Sequence, residues 1–207
     1  ATPLAPGARL GLAFQVGYAP GGWLGIGSDT PVVANGAMFT NAVLPRVGYQ
    51  ASVELEDERD RRRHGLAPRA PMRDGGDPLA RTRNAVAPDA DWIGFEAVVS
   101  TSLDHVAVAP GTLEREWSAG GRRYFRYRMD RPMQGNYAVQ SARYEVLHDR
   151  WQDVTVDVYH HPGHAANAER LIRGAQATLD YGTRRFGRYP LRELRIAEYP
   201  RYTRHAP

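Results

Sequence analysis

The stretch "WQDVTVDVYHHPGHAANAERLIRGAQATL", residues 151–179, contains two different spacings of apolar residues. Before Pro162, valines recur at every second position from Val154 to Val158, which predicts a strand with one apolar face. After the proline, apolar residues recur every three or four positions, which predicts an amphipathic helix over residues 165–186. The segment "LRELRIAEY" that follows then predicts one further strand.

Alternation with a period of two also occurs near the start of the chain, where Leu10, Leu12, Phe14 and Val16 are separated by small or polar residues. Similar runs predict further strands in "TPVVAN", "GYQASVEL", "DWIGFEAVVSTS", "HVAVAP", "RRYFRYRMD" and "ARYEVL". Glycine and proline turns separate these runs, as is typical of antiparallel sheets. The sequence therefore predicts a mainly β fold, an antiparallel β-saddle or sandwich with one C-terminal amphipathic helix and a following strand.

A charged region from Glu56 to Asp91 interrupts this pattern. Residues 55–66 predict a short charged helix ended by Gly65, and the remainder, rich in proline and glycine, predicts a long loop. Loops of more than about 15 residues are uncommon in compact domains and are either functional or mobile. Two interpretations stay open, a solvated excursion and a cover for a neighbouring site or domain.

The charge composition excludes several classes of protein. All 27 basic residues are arginine, and 23 acidic residues are interleaved with them, for a net charge of +4. Because no motif that reads nucleic acid accompanies the arginines, we expect no nucleic-acid partner. The absence of cysteine excludes disulfides and thiolate metal sites. No run of about 18 apolar residues is present, so we expect a soluble fragment without membrane contact of its own, cut from a longer protein.

Three of the seven histidines lie within "YHHPGH", residues 159–164. His160 and His161 are neighbours at a predicted strand end and should face opposite sides, while His164 lies in the first turn of the predicted helix. We therefore interpret the cluster as a domain junction and predict no metal site in the chain. No HExxH pair, GxSxG elbow, P-loop or nucleophilic cysteine occurs, so no catalytic residue is predicted.

Long parts of the chain resemble a known enzyme family. The run Ala142–Tyr202, which includes "LDYGTRRFGRYPLRELRIAEYPRY", resembles the domain junction of zinc aminopeptidases of the aminopeptidase N (membrane alanyl aminopeptidase) type. In that family the last strands of an N-terminal β-saddle lead into the first helix and strand of a thermolysin-like domain. Residues 35–66, beginning "NGAMFTNAVLPRVGY", and residues 99–144 resemble the variant that is fused to bacterial ABC-transporter-type permeases.

The resemblance implies two parts, a β-saddle over residues 1–163 with the charged loop at 56–91, and the start of a truncated catalytic domain over 164–207. It also implies zinc in the full-length parent. The HExxH motif that would bind zinc does not occur here, so we expect no cofactor in this chain and no activity of the chain alone. The resemblance makes Asn35, at the start of "NGAMF", the single candidate contact to a substrate; the alternative is a turn residue.

We therefore expect a non-catalytic N-terminal fragment of a zinc metallo-aminopeptidase-like protein, which bounds the site where peptide N-termini are hydrolysed. Its partners would be the peptide substrate and the remainder of the catalytic domain. The alternative is an extracytoplasmic binding domain of an ABC-type permease without peptidase activity, and the aromatics and arginines of "GGRRYFRYRMDRP" would suit such binding. The resemblance implies a parent in the bacterial inner membrane with this domain outside the cytoplasm.

Overall fold

The computed structural model describes residues 5, 7–19, 31–33, 35–45, 54–69, 74–81 and 92–199. Its strands are β1 (Val32–Val33), β2 (Gly36–Thr40), β3 (Trp92–Ile93), β4 (Glu96–Ser102), β5 (Val106–Val108), β6 (Thr112–Ala119), β7 (Arg122–Arg128), β8 (Met133–Gln134), β9 (Ala138–Ala142), β10 (Glu145–Trp151), β11 (Val154–His160) and β12 (Glu193–Ala197). Its helices are α1 (Glu58–Arg63), α2 (Pro78–Arg81) and α3 (Ala165–Phe186), with a 3-10 turn at Asn41–Val43. The predicted class, mainly antiparallel β with one notable helix and a following strand, is confirmed.

β11 is the central strand of a sheet with the order β10, β11, β12. It pairs antiparallel with β10 and parallel with β12, where Tyr159 lies opposite Ala197. α3 connects the two parallel strands and packs against one face of β11, as the alternating valines predict. The core between helix and sheet consists of Val154, Val156, Val158, Ala168, Ile172, Ala175 and Leu179.

The other face of β11 packs on a second sheet. Tyr159 is buried with Tyr144 and with Ala142 of β9, in the sheet of order β1, β2, β9, β5. A further core is formed by Phe125 and Tyr127 of β7, the middle strand between β4 and β6, against the alanines of the β5 segment. A short pair of β3 and β8 completes the sheets of the described residues. Because β11 is packed on both faces, the residues at its carboxyl end are held in a fixed position.

Arg195 of β12 links the sheet under α3 to the β5–β6 connection. Its side chain donates to the carbonyl oxygen of Ala109 at 2.9 Å and to that of Gly111 at 2.6 Å. The guanidinium carbon lies 5.1 Å from the centre of the Tyr127 ring, and an ion pair to Glu193 completes its contacts. A side chain only 12% exposed thus joins two parts of the fold.

The strand predicted over residues 10–16 is wrong. No strand is present among residues 7–19, and Leu10 and Phe14 are 68% and 54% exposed. Alternation supplies an apolar face, but a strand also needs a neighbour to pair its backbone N–H and C=O groups. No described residue pairs with this segment, so the pattern alone does not produce a strand there.

The charged region is only partly a loop. The short helix predicted within residues 55–66 is confirmed as α1, and Arg61 in it is buried, donating to Glu54 and to the carbonyl oxygens of Leu55 and Ala67. The sequence did not predict α2.

Most of "GYQASVEL" lies outside the described residues, and the division near residue 163 stays a prediction. In the described part of the chain, no helix has the length and apolar character to cross a membrane.

Candidate functional site

Polar side chains gather where the parallel strands β11 and β12 end. His160 is the last residue of β11, His161 follows it, and Glu198 directly follows β12. The carboxyl ends of parallel neighbours lie at the same sheet edge, so His161 and Glu198 meet although they are 37 residues apart. In open sheets with parallel strands, ligands bind in the crevice outside these ends. This edge is therefore the candidate functional site.

Glu198 holds this edge together. Its Oε2 accepts from the backbone N–H of His161 at 2.6 Å, and its Oε1 lies 2.5 Å from Nδ1 of His164. Partial burial by itself would raise the pKa of Glu198, but the His161 N–H and the His164 ring outweigh it, so the pKa lies below its usual value. Glu198 is therefore a carboxylate at neutral pH.

Tyr144, in the connection between β9 and β10, holds the same segment in place. Its hydroxyl donates to the carbonyl oxygen of Glu198 at 2.6 Å, and Oε1 of Gln140 lies 3.2 Å away. Burial raises the pKa of Tyr144, with the charge of Glu198 adding to the effect, so the hydroxyl stays protonated and remains a donor. The ring also packs against His161, with 5.4 Å between ring centres.

The three histidines do not converge on one point. His160 is buried, and its Nδ1 donates to the carbonyl oxygen of His161 at 3.0 Å. Nε2 of His161 lies 3.4 Å from Nδ2 of Asn35, whereas Nδ1 of His164 is directed at Glu198. Within the described ranges, no three His, Asp or Glu side chains group as metal ligands. The residues of this edge therefore do not fit a zinc ion, whose structural and catalytic sites need three or four converging donors.

Asn35 lies beside this cluster, immediately before β2. Its Nδ2 faces Nε2 of His161, while its Oδ1 is buried and has no hydrogen-bond partner among the described residues. With the amide in this orientation, Nδ2 donates to Nε2, and the proton of a neutral His161 lies on Nδ1. A buried acceptor without a partner costs about 1–3 kcal/mol, and such groups in native proteins call for an explanation.

A half-open cleft of about 630 Å³ continues from this edge between α3 and β12. Apolar side chains, among them Leu171 and Ile196, line its floor, and His160, His164 and Glu198 lie at its polar end. The cleft therefore combines an apolar surface with charged and hydrogen-bonding groups at one end, as binding clefts in proteins commonly do.

The sequence predicted only part of this arrangement. Asn35, the predicted substrate contact, lies next to His161. Its role as a substrate contact stays a prediction. The expectation that His160 and His161 face opposite sides agrees with their different partners. Glu198 and Tyr144 were missed. An acidic residue directly after a strand was a usable signal for Glu198, whereas nothing in the sequence distinguishes Tyr144 from the other ten tyrosines.

Comparisons with known proteins find distant structural similarity and no match in sequence. No protein-family model matches the chain, and no curated protein matches its sequence. Among solved structures, the chain is similar to Legionella pneumophila aminopeptidase A in complex with aspartic acid, with 15% sequence identity and a TM-score of 0.49. The match covers 54% of this chain, and it spans 14% of the length of the Legionella chain.

Proposed function

We propose that this chain is the non-catalytic N-terminal part of a zinc metallo-aminopeptidase-like protein and bounds the site that holds a peptide's free N-terminus. On this proposal residues 1–163 form a β-saddle, and residues 164–207 begin a thermolysin-like domain. The sequence resemblance over residues 142–202 supports it, together with the chemistry at the ends of β11 and β12.

The unpartnered Oδ1 of Asn35 is the observation that carries the proposal. An α-ammonium group has several N–H donors and no acceptor, so acceptors must recognise it. Oδ1 of Asn35 is an acceptor without a partner among the described residues, and Glu198 supplies an anionic acceptor at the same sheet edge. Both residues contact His161, Asn35 at the ring and Glu198 at the backbone N–H, which supports one amine site built around this histidine. An ammonium bound there would satisfy the buried oxygen of Asn35.

The contribution of this chain is binding and orientation of the amino end. We propose that zinc belongs to the full-length parent, where it would polarise the scissile carbonyl and activate water. The histidines described here do not fit that role, and we assign them no catalytic step. The remainder of the catalytic domain would pack over the cleft between α3 and β12, whose apolar lining at Leu171 and Ile196 supports such a partner.

A binding experiment tests the amine site directly. The dipeptide amide Leu-Ala-NH2 is titrated into isotopically labelled protein, with its N-acetylated form as the control ligand, and the side-chain amide resonances are followed by NMR. We expect the free amine to shift the Asn35 amide resonance and the acetylated peptide to leave it unchanged. Asn35→Leu should weaken binding at least about fivefold, because it removes the acceptor. Asn136→Leu, at an exposed position, is the matched control.

Two results would overturn the proposal. If the acetylated peptide binds as tightly as the free amine, the site does not recognise an amino terminus. If the purified chain hydrolyses an aminoacyl p-nitroanilide and a chelator abolishes the reaction, the chain is not a non-catalytic part. We expect no such hydrolysis, because the sequence contains no HExxH motif.

The second candidate is an extracytoplasmic binding domain of an ABC-type permease without peptidase activity. One observation favours it: Arg122, Tyr124, Arg126 and Arg128 of β7 lie on the sheet face opposite the buried Phe125 and Tyr127. Either candidate places the parent in the bacterial inner membrane with this domain outside the cytoplasm. An intact HExxH motif in the parent would support the peptidase, and a degraded one would support the binding domain.

A further inference from the structure

The sheet of order β4, β7, β6 has one face turned away from the core. Phe125 and Tyr127 of β7 are buried, so the residues between them on that strand point to the other side. We call that side the outer face. It is formed by Glu96, Val98 and Ser100 of β4, by Arg122, Tyr124, Arg126 and Arg128 of β7, and by Arg115 and Trp117 of β6. Val98, 56% exposed, confirms that nothing described covers it.

The outer face carries a surplus of positive charge. Arg126 is neutralised by Glu96 at 2.7 Å and by Glu114, from the bulge in β6, at 3.4 Å. Arg115, Arg122 and Arg128 are exposed, and no carboxylate among the described residues forms an ion pair with any of them. Four arginines against two glutamates leave two uncompensated positive charges on one sheet face, which favours an anionic partner.

Aromatic rings hold part of this face in place. Trp117 and Tyr124, opposite each other on β6 and β7, are stacked with 5.1 Å between ring centres and 10° between ring planes. The guanidinium carbon of Arg115 lies 5.0 Å from the centre of the Trp117 ring. A guanidinium already positioned over a ring loses less side-chain entropy when it pairs with a carboxylate.

The spacing of the arginines indicates the form of the partner. Arg122 and Arg128, which form no ion pair with a described carboxylate, are six residues apart on β7, or about 20 Å along the strand, so a segment whose carboxylates reach both must be extended. We infer that the outer face is a docking surface for an extended acidic peptide segment of a partner protein, with Asp or Glu at alternate positions. This inference is independent of the proposed amine site, because the outer face belongs to a different sheet from β11 and β12; it deepens the second candidate function, which uses the same face of β7.

Two other anionic partners fit the face less well. Single-stranded nucleic acid gains affinity by stacking bases on open aromatic rings, but the Trp117 ring is already engaged by Tyr124 and Arg115. A membrane surface needs apolar side chains that insert below the headgroups, and Val98 is the one aliphatic side chain on the outer face. An acidic peptide needs neither open aromatic rings nor apolar side chains, since bidentate pairing of its carboxylates with arginine is sufficient.

The test uses a fluorescein-labelled synthetic peptide with Glu and Ser at alternating positions, titrated with the whole chain and followed by fluorescence polarisation. A second peptide has Gln at every Glu position. The double variant Arg115→Glu, Arg128→Glu reverses two charges of the outer face. The matched control, Arg170→Glu with Arg173→Glu, makes the same charge change on the exposed side of α3. Circular dichroism shows whether each variant is folded. If a variant with Arg→Glu substitutions does not fold, the same positions are changed to Gln instead.

We expect the Glu peptide to bind, the Gln peptide to bind at least about tenfold more weakly, and the affinity to fall as salt rises from about 50 to about 300 mM. The outer-face variant should lose about tenfold or more in affinity, whereas the α3 variant should stay within about twofold of the parent chain. Equal losses in both variants, or equal binding of both peptides, would refute the inference. Tighter binding of a single-stranded oligonucleotide or of phosphatidylserine vesicles than of the Glu peptide would also refute it.

Discussion

Replacing Arg195 with methionine tests whether one largely buried guanidinium holds the sheet under α3 to the β5–β6 connection. The Arg195→Met substitution removes two hydrogen bonds from a charged donor to backbone carbonyl oxygens, those of Ala109 and Gly111. Each such bond contributes about 1.5 kcal/mol. Methionine fills similar volume beside Tyr127, so the loss of packing is small. We therefore expect a destabilisation of about 3 kcal/mol.

Urea unfolding followed by circular dichroism measures this loss. For a chain of this size the denaturant dependence is near 3 kcal/mol per molar urea, so the midpoint should fall by about 1 M. Arg170→Met, at an exposed position of α3, is the control and should change stability by less than about 0.5 kcal/mol. Arg195→Met alone leaves the charged Glu193 without its cationic partner. Adding Glu193→Gln should therefore recover part of the loss, because the side chain at position 193 is then neutral. A midpoint for Arg195→Met equal to that of the control would refute the reasoning.

Gly111→Ala should destabilise the chain by about 3 kcal/mol, because Gly111 has φ +91° and a Cβ there would lie 2.3 Å from the carbonyl carbon of Arg128. Denaturant unfolding measures this. Glu198→Gln should remove a pH-dependent part of the stability: the folded pKa of Glu198 is lowered, so its contribution is complete above the unfolded pKa and is lost as pH falls through the folded one. The difference in stability between parent and variant should therefore shrink between about pH 7 and about pH 3.

Each of these predictions has its own control. Gly120 also has a positive φ, +55°, but a Cβ there would meet nothing within 4 Å, so Gly120→Ala should cost only about 1 kcal/mol. If Gly111→Ala and Gly120→Ala lower the stability equally, the contact with Arg128 is not the cause of the destabilisation. A difference between parent and Glu198→Gln that stays constant across the pH range would show that the carboxylate is not stabilised by His161 and His164.

The periodic parts of the fold could be read from the sequence. Alternating valines from Val154 to Val158 and the apolar repeat after Pro162 specify β11 and α3, because each pattern matches the geometry of a single element. Residues 10–16 carry the same alternation without forming a strand. The difference is the presence of paired neighbours, which β10 and β12 provide for β11 and which a local pattern cannot reveal.

The candidate site depended on tertiary structure. Asn35 and His161 are 126 residues apart, and Glu198 meets His161 and His164 only because β12 pairs with β11 in one particular register. A shift of that register by one residue would turn the side chains of β12 to the opposite face. The sequence alone therefore determined the type of each strongly periodic element and supplied Asn35 as a candidate. Only the packing of the sheets decided which polar groups meet, because long-range pairing and burial, not local propensity, set the distances between them.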